Sequence, residues 1–421
     1  MMDRNPTNSP HDNRTSTMAG IGFTGFLLLI TSLLTLASGC TGGPGQETMI
    51  VESLVDGAVR VTHTILPDNR LAIDTLAVWD LWQDDADYLF NSIAGVAGYD
   101  DGFYVCDRGN REIVHVDLHG NPLSHFGQSG EGPGELRFPH AIVRSGNELW
   151  IADIMNRRFS VYSTTGEYIR DTRWGSYAWH EFFPRDVSDL LIHTQTDVDF
   201  DNAGEFIPNH FILRANLATG SEDTLVTMPG LREQQIEVRA SSGQAMIFVG
   251  PPQFAPRLHW AWSTENNRLH TVTRSDYHFE VRDLTGRLQR EVIAPSPDLT
   301  VTQRDKDWFF NDQFQFGFGS GERFTATRTS LEKYPFAERR QAIEGLQTDP
   351  FGRIWVLANT EHPGTTRLDL FDPDGIYLGN LGEMPLPLTF TTDGSALIRI
   401  ADDEDADIYL VISVLTTADG N

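Results

Sequence analysis

Gly102–Asn121 reads GFYVCDRGNREIVHVDLHGN, and Asn147–Glu167 reads NELWIADIMNRRFSVYSTTGE. The two stretches superpose without a gap. Asp107, Asn110 and Gly120 fall on Asp153, Asn156 and Gly166, each 46 positions further on. Tyr104-Val105 matches Trp150-Ile151, and Ile113 matches Phe159. Separated matches in one register define a repeat, and a period of about 40–50 residues belongs to propellers and solenoids. The contents choose between them. YVCD and WIAD are short aromatic and β-branched strands. IVHVD and FSVYS alternate, so one face of each is buried. DLHG and STTG are tight turns in which glycine supplies positive φ.

Working outward, the same turn recurs as NLATG (Asn216–Gly220), DLTG (Asp283–Gly286) and DPDG (Asp372–Gly375). Each follows an alternating strand: FILRA, FEVR or RLDLF. Helical periodicity is absent from these units, which argues against a helical solenoid. LTFTTDGSALIRIADDEDADIYLVISVL supplies a sixth unit, with ADDEDAD as its hairpin turn. The expected fold is all-β, a six-bladed β-propeller that leaves only short edges exposed. The early strands VRVTHTIL and LAIDTLAVWDLW are expected to complete the last blade. The segment 294–345 breaks the pattern. It is read as an irregular or partly helical insertion, with a seventh blade as the rival. Its Trp308, Phe309, Phe310, Phe314, Phe316 and Phe318 suit core packing or a sticky lid.

The recurring Asp-x-x-Asn-Arg, the GEGPGE before an FP and the late GRIWV resemble NHL-type repeats. More narrowly, they resemble the six-bladed propeller lipoproteins of environmental bacteria. The resemblance spans about residues 60–415. It is strong at 90–170 and 343–380, and weak at 180–260, where Asp-x-x-Asn-Arg is lost. It frames GQSGEGPGELRFP, Gly127–Pro139, whose glycines superficially suit a phosphate cradle. A phosphate loop needs a following helix and a lysine. Here a strand, HAIV, follows, and Glu131 and Glu135 would repel phosphate. The stretch reads as a crossing between blades.

At the N-terminus, Ile21–Ser38 is an apolar run without a charge, preceded by Arg4 and Arg14, as in a secretory signal. LASGC resembles the bacterial lipobox, which implies lipid attachment at Cys40. The true start is Met1 or Met18. The expected organisation is a signal at 1–39, a flexible tether at 40–55 and the propeller at 56–416. The expected location is the cell envelope, lipid-anchored, at the outer membrane facing periplasm or exterior. Cys106 is then a buried apolar residue without a partner. The chain carries 59 Asp and Glu against 32 Lys and Arg, a formal −27, which excludes nucleic acid as a partner.

Candidate site residues follow from propeller geometry, in which inner-strand ends converge on a central channel. After FP or AP come His140, Arg185, and Arg257 with His259. The matching late positions are Asp349 and Thr389. A mixed His, Arg and Asp ring suits a carboxylate or a sugar. Asp107, Asn110 and Arg111, like Asp153, Asn156 and Arg157, repeat with the blade and are assigned to turn capping. Asp197, Asp199 and Asp201 form half of a calcium loop, but Asn202 and Pro208 stand where Gly and Glu belong. No resident cofactor is expected, with Ca2+ or another divalent ion as the weaker alternative. The function read from these features is a binding or scaffold module for a protein, peptide or glycan. The alternative is a metal-dependent lyase or lactonase of propeller type. It requires His140, His259 and a carboxylate to converge.

Overall fold

The computed structural model describes residues 50–79, 88–173, 179–196, 207–232, 234–239, 245–310, 316–318, 322–324, 335–401 and 407–415. The signal segment, Cys40, Asp197, Asp199, Asp201 and Phe314 lie outside them. The chain begins with three strands, β1 (Ile50–Val55), β2 (Ala58–His63) and β3 (Ala72–Trp79). Blade 1 follows as β4 (Ile93–Gly98), β5 (Gly102–Asp107), β6 (Glu112–Asp117) and β7 (Pro122–Phe126). Blade 2 is β8 (Pro139–Ser145), β9 (Glu148–Asp153), β10 (Arg158–Ser163) and β11 (Tyr168–Thr172). Blade 3 is β12 (Trp179–Pro184), β13 (Asp189–Gln195), β14 (Asn209–Asn216) and β15 (Ser221–Pro229). A hairpin, β16 (Gln234–Arg239) and β17 (Ala245–Gly250), precedes blade 4. Blade 4 is β18 (His259–Ser263), β19 (Arg268–Val272), β20 (His278–Arg282) and β21 (Leu288–Ile293). Helix α1 (Gln303–Trp308) and the hairpin β22 (Phe316–Phe318) and β23 (Glu322–Phe324) come next. Blade 5 is β24 (Ile343–Thr348), β25 (Ile354–Asn359), β26 (Thr366–Phe371) and β27 (Tyr377–Asn380). Blade 6 takes β28 (Thr389–Phe390), β29 (Ala396–Ala401) and β30 (Asp407–Leu415) from the C-terminal end, and β3 as its outer strand.

The ring is six-bladed and closed, and the seven-blade count does not hold. Two observations carry closure. The outer strand of blade 6 comes from the start of the chain, pairing Ala72↔Leu415 through Trp79↔Tyr409. A hydrophobic cluster also fills each interface between neighbouring blades, including that between blades 6 and 1, where Trp79, Leu397, Tyr409 and Val411 meet Phe103, Val105, Val114 and Val116. The backbones meet closely at the same place. A Cβ on Gly98 would lie 1.8 Å from the Phe390 carbonyl oxygen, and Gly98 N–H donates to Thr389 Oγ1 at 2.9 Å.

Of the two early strands expected in the last blade, only the second is there. VRVTH is β2, which runs parallel to β21 and widens blade 4 to six strands together with β1. The end of the expected tether, 50–55, is strand β1.

The repeat signature is a staple. Asp107 is 0% exposed. Its Oδ1 accepts from the N–H groups of Ser92, Gly109 and Asn110, and its Oδ2 from Asn91 N–H and Asn110 Nδ2. One carboxylate thus ties the end of β5 to the chain entering β4. Asp153 does the same for blade 2 through Arg137 N–H, Phe138 N–H and Asn156 Nδ2. Arg111 and Arg157, at φ 62° and 54°, complete the turns in the left-handed region. The turn glycines dock on the preceding blade. A Cβ on Gly120 would lie 2.8 Å from Trp79, and one on Gly166 2.7 Å from Phe126.

Gly127–Pro139 runs from β7 to β8 as a blade crossing. The buried Arg158 guanidinium donates to the carbonyls of Glu131, Gly132 and Glu135, and Tyr162 Oη–H donates to that of Gly134. Cys106 is buried and free, and burial pushes its thiol well above the ordinary value.

Within 294–345, Thr302 and Asp305 cap α1, and buried Asp305 pairs with Arg340 Nε at 2.8 Å. Phe309 is 8% exposed and packs edge-on against Phe254, Phe310 and Phe336.

Candidate functional site

The inner strands β4, β8, β12, β18, β24 and β28 enclose a central cavity of about 750 Å3. Its wall mixes apolar and polar side chains, because alternating strands turn one row of side chains toward each neighbouring blade and the rows meet at the hub. Phe183, Leu388, Phe390, Trp260 and Trp262 are among its large apolar members, though the two tryptophans are only 9% and 8% exposed and belong to the cluster between blades 3 and 4. Polar groups enter at Arg144, Glu181, Glu265, Gln347, Asp349 and the threonines 264, 348, 389, 391 and 392.

Glu181 is the unusual member. It sits in WHEFFP, mid-way along β12, with aromatic residues on both sides. Its side chain is 60% exposed, because it faces the channel rather than the blade interior. Protein nevertheless walls that channel, and desolvation raises its pKa above the ordinary glutamate value. The Trp260 indole N–H lies near the carboxylate and pulls the other way, without closing a full hydrogen bond. Behind it, His193 Nδ1 stands 3.9 Å from Glu181 Oε2, and the His193 ring is 5.6 Å from that of His210. Arg144, by contrast, is already engaged: it lies over the Tyr99 ring at 4.7 Å and 3.8 Å from Asp100.

Of the sequence-derived candidates, Asp349 and Thr389 line the central cavity, and His140, Arg185, Arg257 and His259 are not among its lining residues. His140 is the second residue of β8, His259 the first of β18, and Arg257 precedes it, so all three mark strand starts. Arg257 is held through its backbone by Gln341, at 2.8 and 2.9 Å. Burial lowers the His259 pKa to about 4, and the Arg257 charge adds to this. Arg185 and Asp349 instead follow the ends of β12 and β24. Arg185 pairs with Asp189 and lies over the Trp262 ring at 5.1 Å. Asp349 is 4% exposed and accepts from Arg353 Nε, Trp355 Nε1 and two backbone N–H groups. It caps a turn at the channel wall. Thr389 is at the wall, accepting from Gly98.

Among the described residues, His140 and His259 do not gather with a carboxylate at metal-ligand distance. Sequence reasoning missed Glu181, Trp260 and Trp262. The available signal was a lone carboxylate inside an aromatic inner strand.

No family model matches the chain. Among solved structures, it is similar to a member of the DUF4221 family from Bacteroides vulgatus, at 12% identity and TM-score 0.48, covering 83% of this chain and 100% of that one. It is similar to a putative exported protein of Bacteroides fragilis at 11% identity and TM-score 0.45, covering 83% and 96%. A streptogramin B lyase structure aligns at 10% identity and TM-score 0.40, covering 82% and 98%. At these identities the likeness is one of fold.

Proposed function

We propose that this chain is a binding module at the cell envelope, and that its ligand is a peptide segment presenting a basic side chain to the central channel. The observation that carries the reading is Glu181, a carboxylate held in an aromatic channel. A carboxylate in partly desolvated surroundings gains most from a cation that arrives with its own hydrogen-bond donors. Phe183, Leu388 and Phe390, with the exposed edge of Trp260, offer apolar contact for the aliphatic stem of lysine or arginine. A volume of about 750 Å3 holds a few residues of peptide. Envelope attachment rests on LASGC and the apolar run before it, with Cys40 as the lipid-bearing residue. The NHL-like character of the repeats belongs to the same reading.

Tryptophan fluorescence titration with short Lys- or Arg-containing peptides, against acidic and neutral peptides of equal length, tests the ligand class. The basic peptides should bind, and Glu181→Gln should weaken them about tenfold, the loss of one charge-assisted hydrogen bond. Equal binding of all three sets, or an unaffected E181Q variant, overturns the reading. Labelling of the expressed protein with an alkynyl fatty acid, lost in Cys40→Ala, tests the anchor.

A further inference from the structure

The strand β20, HFEVR, places His278, Glu280 and Arg282 on one face, because side chains alternate along a strand. Phe279 and Val281 point the other way, into the cluster shared with blade 5. In register, Glu280 stands opposite Glu291 of β21 and Thr271 of β19, and Glu291 stands opposite Arg60 of β2. Two carboxylates directly across a strand pair normally repel. Here each is half-neutralised from outside. Arg60 donates to Glu291 Oε2 at 2.7 Å, and Arg282 donates to Glu280 Oε2 at 2.5 Å. Each carboxylate keeps a second oxygen.

His278 points into this pair. It is 3% exposed, and its Nε2 lies 3.7 Å from Glu291 Oε1. That distance is too long for a hydrogen bond, and Nε2 has no other partner. Thr271 Oγ1, in the same cross-strand row, is also buried without a partner. Donor atoms of His278, Glu280 and Glu291 all lie within 4.8 Å of one another. Buried polar groups are ordinarily satisfied, so two orphans converging on a carboxylate pair call for a ligand.

We propose that His278, Glu280 and Glu291 form a divalent-cation site of the zinc class in the outer half of blade 4. One imidazole nitrogen and two carboxylate oxygens match zinc's preference, whereas calcium would need about six to eight oxygens. A tetrahedral ion with bonds of about 2.1 Å sets its ligand atoms about 3.4 Å apart, so the set closes with a small inward movement. Arg60 and Arg282 become outer partners that orient the carboxylates. The three donors leave the fourth tetrahedral position to a water, and they lie on the outer strands of blade 4, away from the channel, so the ion acts on the fold and not on the channel's ligand. Through Arg60 it clasps the N-terminal strands β1 and β2 to blade 4.

The test uses the full chain, stripped with a chelator and then titrated with Zn2+ against a competing chelator, and with Co2+ by its visible absorption. Binding should saturate at one equivalent, weaken at least about tenfold in both His278→Gln and Glu280→Gln, and raise the Tm of the unaltered chain. X-ray absorption at the zinc edge of the unaltered chain should show a single imidazole with oxygen ligands. That readout decides the matter even where a variant fails to fold. Absence of binding, unchanged affinity in either variant, or a coordination shell with sulfur or several imidazoles overturns the proposal.

Discussion

Asp107→Asn removes a charge and one acceptor oxygen while keeping the shape of the side chain. Oδ1 receives three backbone N–H groups at 3.0–3.2 Å, and Oδ2 receives Asn91 N–H at 3.0 Å and Asn110 Nδ2 at 2.9 Å. An amide NH2 cannot accept. Whichever way the new amide turns, at least one backbone N–H loses this acceptor inside a site that is 0% exposed, Asn110 Nδ2 keeping Leu89 O at 2.9 Å. At about 1–3 kcal/mol for each orphaned donor, and with the remaining bonds no longer made to a charge, the expected loss is about 2–4 kcal/mol. Asp153→Asn disturbs fewer bonds, because its carboxylate receives three of these donors rather than five, with Phe138 N–H alone on Oδ1. Its expected cost is about 1–3 kcal/mol. Asp101, whose side chain is 69% exposed, serves as the control, with Asp101→Asn expected within about 0.5 kcal/mol. Urea unfolding followed by tryptophan fluorescence measures all three. An Asp107→Asn variant within about 1 kcal/mol of the unaltered chain, with an unchanged denaturant slope, would refute the assignment of the Asp-x-x-Asn-Arg signature to folding.

Gly98→Ala places a methyl group against the Phe390 carbonyl where blade 6 meets blade 1; a loss of at least about 1–3 kcal/mol in the same assay is expected. Asp305→Asn leaves Arg340 charged and buried beside α1. It should cost about 3–5 kcal/mol and open 294–345 to limited proteolysis. His259 titrates near 4 when folded, against an ordinary 6.5, so the unfolded chain binds the proton more readily between those values. Its contribution is therefore full above about pH 6.5 and lost as pH falls toward about 4, at about 2–3 kcal/mol, and His259→Asn should flatten that limb of a stability–pH curve.

The ring was legible because its repeat carries its own staple. Asp107 and Asp153 fix the phase of blades 1 and 2, and glycines such as Gly120 and Gly166 mark the same turn in each. Phase is lost where the staple is lost. In blade 3 the FP before Arg185 closes the inner strand, whereas the FP before His140 opens one. Aligning the two by motif therefore set Arg185 at a strand start, where the structure has a strand end. β2 was misassigned for a related reason. It joins β21 in parallel, across more than two hundred residues, and parallel pairing leaves no turn to read. Glu181 was hidden because a hub wall and a blade interior share one alternating pattern, and Trp260 and Trp262 belong chiefly to the interface between blades 3 and 4. Only the closed ring distinguishes the side chains that meet a neighbouring blade from those that meet the channel.

Val78→Cys with Leu410→Cys tests the closed ring most directly. These positions face each other in register between the first and last parts of the chain. Directly opposed antiparallel residues have Cα atoms about 4.5–5.5 Å apart, within disulfide reach. Mild oxidation of the folded, monomeric double variant should give a fast-migrating intramolecular species that reducing agent reverses. A double variant that stays reduced, or that links only between molecules, would contradict closure of the ring by β3.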